Sequence, residues 1–495
     1  HHLLYEAFYG VDLRPTLINE GYAARRMEYD DETGLLRKTV YLDTDGRPVL
    51  LSSGYASYEQ KYDTNGNLLL RAYFDAEGRP VSPASEGYAR FERKCDQMGH
   101  VLEEARYDAD NSLIINRDNY AVLVQEYDVN GVQTAVMYLG QDRKPVDTNY
   151  GYARKEVKYD FQGNKTSEAY FDSKYKPVSI SNGYHKVEYT YDTEGHQLTE
   201  SYYGTDGRPA ECPLGYASFV REYDLHGNLT REVYYGKDGM ATDVKAGAAW
   251  IERVYDEEDR LLSEQYFDET GKPYMLKGDY ASLRYTYNHL GKILTEEYFG
   301  MDGKPVVSSR GYALLTYEYD DTGHLLNEEY SDGNGKLLVQ ATGYAGVKRT
   351  WNDQGFLTSV SYYGEDGRYI LLEDKYSLIT YVRDNNGNCT EEAWYIFEGQ
   401  PTQLKDGYNR IRHEYDTAGN MTLSAYYFND DIIMITGGYA AIAYEYDARN
   451  RLVKEGYLDT KLRRITIDKG FSGIGYVYDN AGNTLQVRYL NEKDE

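Results

Sequence analysis

Apolar and polar residues alternate with a period of two along short stretches of this chain, and the stretches recur from one end to the other. After Gly151, the residues Ala153, Val157 and Tyr159 fall on one side of an extended segment, while Arg154, Glu156 and Lys158 fall on the other. That pattern predicts a half-buried strand. The next residues, Asp160-Phe161-Gln162-Gly163-Asn164, match Asp63-Thr64-Asn65-Gly66-Asn67 and Asp224-Leu225-His226-Gly227-Asn228. Aspartate, two loop residues and glycine suit a tight hairpin loop, because the carboxylate caps backbone N–H groups and glycine takes the positive φ that closes the turn. A second strand is predicted from Leu68 to Phe74, Leu229 to Tyr235 and Ile293 to Phe299. A second turn, Asp75-Ala76-Glu77-Gly78, leads into Arg79-Pro80-Val81, and the proline recurs at Pro48, Pro145, Pro177, Pro209, Pro273 and Pro305. Proline cannot donate to a ladder, so this third segment is a short edge piece or an extended connection.

The block opens on glycine and an aromatic residue, as at Gly21-Tyr22, Gly54-Tyr55, Gly87-Tyr88, Gly151-Tyr152, Gly183-Tyr184, Gly311-Tyr312 and Gly407-Tyr408, with Asn119-Tyr120, Gly247-Ala248, Asp279-Tyr280 and Lys375-Tyr376 as variants. The steps are about 32 residues, which marks a repeat architecture of about fifteen copies rather than about three ordinary domains. The expected fold is all-β, an elongated solenoid or superhelix of tandem β-hairpins, with 1–495 as a single tandem-repeat domain. One unit has too few apolar residues for a core, so stability comes from stacking neighbours. Phe8-Tyr9-Gly10 is in register with Tyr298-Phe299-Gly300, and the chain stops just after Tyr489-Leu490. A piece of a longer protein, beginning and ending in mid-repeat, is the expectation, with His1-His2 as the remnant of a purification tag.

Composition alters the picture at four points. Tyrosine outnumbers phenylalanine 57 to 12, so the building material is a flat ring with a hydroxyl at its edge. The net charge of -27 argues against nucleic acid and anionic membrane surfaces, both of which call for a basic stripe. No apolar stretch is long enough for a membrane-spanning helix, so membrane insertion is not expected. Cys95, Cys212 and Cys389 lie several repeats apart, too far to pair, and Cys95 and Cys389 stand at core positions of their strands.

Four features resemble chemistry. Asp-x-Asn-Gly turns such as Asp63-Thr64-Asn65-Gly66 and Asp384-Asn385-Asn386-Gly387 start like a calcium loop but lack its acidic twelfth residue, so turn capping is expected and no metal or other cofactor. His100, His196 and His324 follow the turn glycine, one per repeat, and read as solvated turn residues. Glu168, Glu200, Glu232, Glu264, Glu296, Glu328, Glu392 and Glu455 each precede a second-strand aromatic by two residues. They form a ladder that Arg79, Lys144, Lys176, Arg208, Lys272 and Lys304 of the second turn would offset, whereas a glycosidase needs one carboxylate pair in one cleft. Lastly come aromatic pairs, such as Tyr73-Phe74 and Tyr202-Tyr203, whose two rings point to opposite faces. Exposed rings at fixed spacing would make stacking platforms, and the candidate ligand-binding residues are Tyr73, Tyr170, Tyr202, Tyr234, Tyr266, Tyr298, Tyr362, Trp394 and Tyr426. No nucleophile elbow, phosphate loop or dinucleotide fingerprint occurs, and no catalytic residues are assigned.

The half-unit Tyr317-Glu318-Tyr319-Asp320-Asp321-Thr322-Gly323-His324-Leu325 resembles the tyrosine-aspartate (YD) repeats of the RHS family, with matches at Tyr29-Asp30, Tyr62-Asp63, Tyr191-Asp192, Tyr223-Asp224, Tyr415-Asp416 and Tyr446-Asp447. The resemblance implies β-hairpins that spiral into shells, although the Asp-Pro-rich motif that ends an RHS shell is absent. The other half, as in Tyr202-Tyr203-Gly204-Thr205-Asp206-Gly207-Arg208-Pro209, is similar to the aromatic hairpins of choline- and glucan-binding wall repeats, which hold choline or sugar between rings. Together these imply a non-catalytic module that binds a bacterial surface glycan or wall polymer through repeated Tyr-lined grooves, at the cell surface or outside the cell. The alternative is a rigid spacer or scaffold within a larger cytoplasmic enzyme, such as a glycan or polyol-phosphate polymerase. Expected partners are the polysaccharide, other domains of the same polypeptide and, through repeat faces or ends, a second copy.

Overall fold

Strands follow one another in chain order, each antiparallel to the next, and two kinds of pairing alternate. Within a hairpin the contact is long: Arg154–Tyr159 pairs with Lys165–Phe171 from Arg154↔Phe171 to Tyr159↔Lys165. Between repeats it is short, confined to Ser167↔Glu188, Glu168↔Val187 and Ala169↔Lys186. The computed structural model describes residues 2–10, 12–245 and 247–495, and His1 lies outside the described residues. The chain divides into two compact units, His1–Trp250 and Ile251–Glu495. The second unit is built by the same rules, with Ser282–Tyr287 pairing along Ile293–Phe299, whose Thr295, Glu296 and Glu297 then meet Thr316, Leu315 and Leu314. The all-β tandem hairpins expected from the sequence are present in both.

The turns are closed as their residues require. Asp160 Oδ1 accepts hydrogen bonds from the N–H groups of Gln162 and Asn164, both at 2.9 Å, and Gly163 sits at φ 90°. The register slips by one residue at the motif tyrosine, between Lys158 and Tyr159, so the strand is bulged where it enters the turn. The proline segment is the short edge piece that its missing N–H dictates: Pro177 bridges Phe171, and Val178 N–H donates to the Tyr170 carbonyl at 3.1 Å.

Two devices fasten one repeat to the next. The alanine that follows Gly-Tyr is fully enclosed; Ala153 N–H donates to the Phe171 carbonyl of its own hairpin and its carbonyl accepts from Tyr138 N–H of the preceding one, both at 2.8 Å. Most copies place alanine or serine there, and in two copies His185 and Asn409 take the position with the same pair of backbone bonds. The motif tyrosine supplies the second fastening. Tyr191 Oη donates to the Lys165 carbonyl at 2.9 Å and Tyr287 Oη to the Leu261 carbonyl at 2.8 Å, each reaching back into the preceding repeat. Trp351 does the same through Nε1, to the Leu325 carbonyl at 3.0 Å.

Candidate functional site: the tyrosine ladder

The Tyr of each Gly-Tyr opening and the first ring of each second-strand pair lie against one another in alternation. In the first unit the ring centroids run Tyr138–Tyr152 at 5.9 Å, Tyr152–Tyr170 at 4.9 Å, Tyr170–Tyr184 at 6.3 Å, Tyr184–Tyr202 at 4.7 Å, Tyr202–Tyr216 at 5.9 Å and Tyr216–Tyr234 at 5.0 Å. In the second unit the series from Tyr266 through Tyr280, Tyr298, Tyr312, Tyr330, Tyr344 and Tyr362 to Tyr376 is spaced in the same way, and it resumes from Trp394 through Tyr408, Tyr426, Tyr439 and Tyr457 to Phe471 and Tyr489. The planes are tilted or edge-on, the arrangement that the ring quadrupole favours.

All nine candidate ligand-binding residues are rungs of this ladder. Tyr73, Tyr170, Tyr266 and Tyr298 are buried, whereas Tyr202, Tyr234, Tyr362, Trp394 and Tyr426 are half-buried. Each of the nine rings meets a ring of a Gly-Tyr opening. The ring that stays nearer solvent is in several pairs the second one, as at Phe74 and Phe171. Burial raises the pKa of several rung phenols, Tyr362 to about 12, and on the adjacent strand Tyr285, Tyr317 and Tyr444 are also raised to about 12.

The glutamate ladder belongs to the same structure. A residue two positions before a rung shares its face, and the hydroxyls of Tyr170, Tyr202, Tyr266, Tyr298 and Tyr330 donate to Glu168, Glu200, Glu264, Glu296 and Glu328. Burial opposes the charge on Glu168, but the Tyr170 phenol and the Lys165 ammonium outweigh it and hold its carboxyl below the usual range. The expected offset by bases of the second turn is corrected here. Those bases stay in their own turns, as with Arg79 and Asp75 at 2.8 Å. The glutamates are instead matched by strand cations, including Arg221 with Glu232 at 2.7 Å and Arg349 with Glu328 at 3.2 Å. Strand bases lie closer because each faces the glutamate across the sheet, whereas the turn projects beyond it.

The turn histidines also differ from expectation. His100, His196 and His324 are hydrogen-bonded through Nδ1 to Asp96, Asp192 and Asp320 at 2.8–2.9 Å and stack on Tyr127, Tyr223 and Trp351 at 4.7–4.9 Å. They pack against the motif aromatic of the following repeat rather than standing in solvent. The constant separation of histidine and aromatic was the available signal. Cys212 is buried beside Tyr216 and Phe219, and Cys95 and Cys389 are half-buried and unpaired. Among the described residues no group of three or more His, Cys, Asp or Glu is placed to hold a metal ion, and no helix is long and apolar enough to cross a membrane.

No family model and no curated protein matches this chain. Among solved structures it is similar to TcdB2-TccC3 without its hypervariable C-terminal region, at 11% identity and a TM-score of 0.30 over 94% of this chain and 27% of that one. It is also similar to the Photorhabdus luminescens Tc holotoxin pore, at 12% identity and a TM-score of 0.25 over 96% and 26%. A similarity to alternansucrase in complex with isomaltononaose has 16% identity and a TM-score of 0.13 over 68% and 22%. The chain thus spans about a quarter of the length of these structures.

Proposed function

We propose that this chain is a non-catalytic repeat scaffold, whose work is to hold an extended β-surface in fixed register beside other parts of the same polypeptide. The observation that carries this reading is the closure of the ladder: the rings that would have served as open platforms are spent on one another, and the hydroxyls of Tyr170, Tyr202, Tyr266 and Tyr298 on glutamates. A site repeated in every copy offers no singular place for a reaction, since catalysis needs groups whose proton affinities are set apart in one cleft. A bacterial surface or extracellular setting goes with the resemblance to YD and wall repeats. The cytoplasmic spacer of a larger polymerase is the other setting of the same scaffold.

Titration of the protein with wall polysaccharide and soluble oligosaccharides tests this against binding through repeated Tyr-lined grooves. A scaffold takes up no multiple equivalents. Uptake of several saccharide units per chain, falling as Tyr170, Tyr202 and Tyr298 are replaced by alanine while far-ultraviolet circular dichroism stays constant, would overturn it.

A further inference from the structure

One copy of the repeat departs from the others at several places at once. At the second-strand rung, where the other copies carry Phe8, Tyr41, Tyr73, Tyr138 and so on to Tyr489, this copy has Arg106. Its second turn has Asn111 for the glycine, Ser112 for the base and Leu113 for the proline, and Asn119 stands before Tyr120. The ladder therefore reaches Tyr88 from Tyr73 at 6.1 Å and begins again with Tyr120–Tyr138 at 4.7 Å, without a ring between. A cavity of about 520 Å³ lies at this gap, within the range of roughly 300–1,000 Å³ typical of ligand sites.

The gap is furnished with polar groups. The Arg106 guanidinium lies 5.2 Å from the Tyr88 ring centroid and is bonded to Glu104 at 2.9 Å, and Glu104 also takes Arg93 at 2.8 Å. Tyr88 Oη donates to Glu86 at 3.0 Å. The lining holds the carboxylates of Glu86, Glu104 and Asp118 against the guanidiniums of Arg106 and Arg117, so it carries no positive excess to attract an anion. A purely apolar guest would strip water from these charges and return no hydrogen bonds. A sugar ring meets both conditions, because its C–H faces rest on aromatic rings while its hydroxyls bond carboxylates and guanidinium at the rim. We propose that the gap at Arg106 is a binding site for one or two units of a neutral saccharide. This goes beyond the scaffold reading, since it is a single place in the array rather than a property of every repeat.

Saturation-transfer NMR and calorimetry on the whole chain decide the matter, with N-acetylglucosamine, glucose, chitobiose, cellobiose and glucuronic acid as probes. A neutral sugar is expected to bind at one per chain. Arg106→Tyr restores the missing rung, and is expected to weaken that binding about tenfold or more with the thermal midpoint unchanged or higher. Asp118→Asn should weaken it less. No transfer from any probe, preference for glucuronic acid, or wild-type binding by Arg106→Tyr would each overturn the proposal and leave the scaffold reading standing. Many saccharides per chain would overturn both.

Discussion

The two ends of a hairpin are fastened by different forces. At the turn end the capping bonds are polar and local: Asp160 serves residues two and four places on, and removing it would disturb one loop. At the ladder end the contacts are apolar and shared, so that Tyr170 touches both Tyr152 and Tyr184 and belongs to two repeats at once. The difference teaches that the continuous apolar cohesion of the array lies in the ladder and its enclosed alanines, while the turns set where each strand reverses and join neighbours through single contacts of the motif aromatic.

Breaking the ladder should therefore cost most. Tyr298→Ala removes a ring that is 2% exposed and is expected to destabilise by about 3–5 kcal/mol in denaturant melts. Tyr298→Phe keeps the ring but removes one of the donors to the buried Glu296, leaving it Tyr312 and Arg310, with an expected loss of about 1–3 kcal/mol. Equal losses from the two would assign cohesion to the hydrogen bond rather than to packing. Ala313→Leu forces side-chain volume into a fully enclosed contact and should destabilise by about 1–3 kcal/mol by the same measurement.

Alkali acts on the same end. A phenol whose pKa is raised in the folded state stabilises fully below its ordinary value of about 10, and that contribution is lost as pH rises through the folded value. For Tyr285, Tyr317, Tyr362 and Tyr444 the folded value is about 12. Phenolate absorbance should therefore rise in two stages in the folded protein and in one stage after denaturation, with unfolding in the interval.

The smallest effect belongs to the turn end. Backbone N–H groups and a paired arginine lower Asp447 and Asp459 to about 2. Their contribution is present above the ordinary value of 3.8 and lost as pH falls from about 4 to about 2. Asp447→Asn should flatten acid denaturation slightly in that window and leave the alkaline branch untouched, as circular dichroism against pH would show.

Much of this fold could be read from the residues. The period, both strands, the capped turns and the edge position of the proline followed from alternation, from Asp-x-x-Gly spacing and from the missing proline N–H. The division of labour among tyrosines could not, because Tyr298 and Tyr287 are the same residue type on adjacent strands that both alternate with period two. Only the sheet register shows that one ring packs against Tyr312 while the other sends its hydroxyl to a carbonyl in the preceding repeat. Period two fixes that adjacent rings face opposite ways, yet it does not say which face a neighbouring repeat will cover. Arg106 was visible in the sequence but unmarked, since it becomes a gap only once the Gly-Tyr rings are known to be the intervening rungs.

The reach of a motif tyrosine back to the preceding second strand also governs what lengths the chain tolerates. Extra residues sit in loops: the turn closed by Gly34 N–H to the Asp30 carbonyl is one residue longer than its counterpart closed by Gly66 N–H to the Asp63 carbonyl, and strand pairing on either side is kept. Insertions inside a strand would instead turn every following side chain to the wrong face. Growth or loss by complete modules is thus the path of least resistance: excising residues 152–183 would splice Gly151 to Tyr184 and hand the vacated place to an equivalent ring.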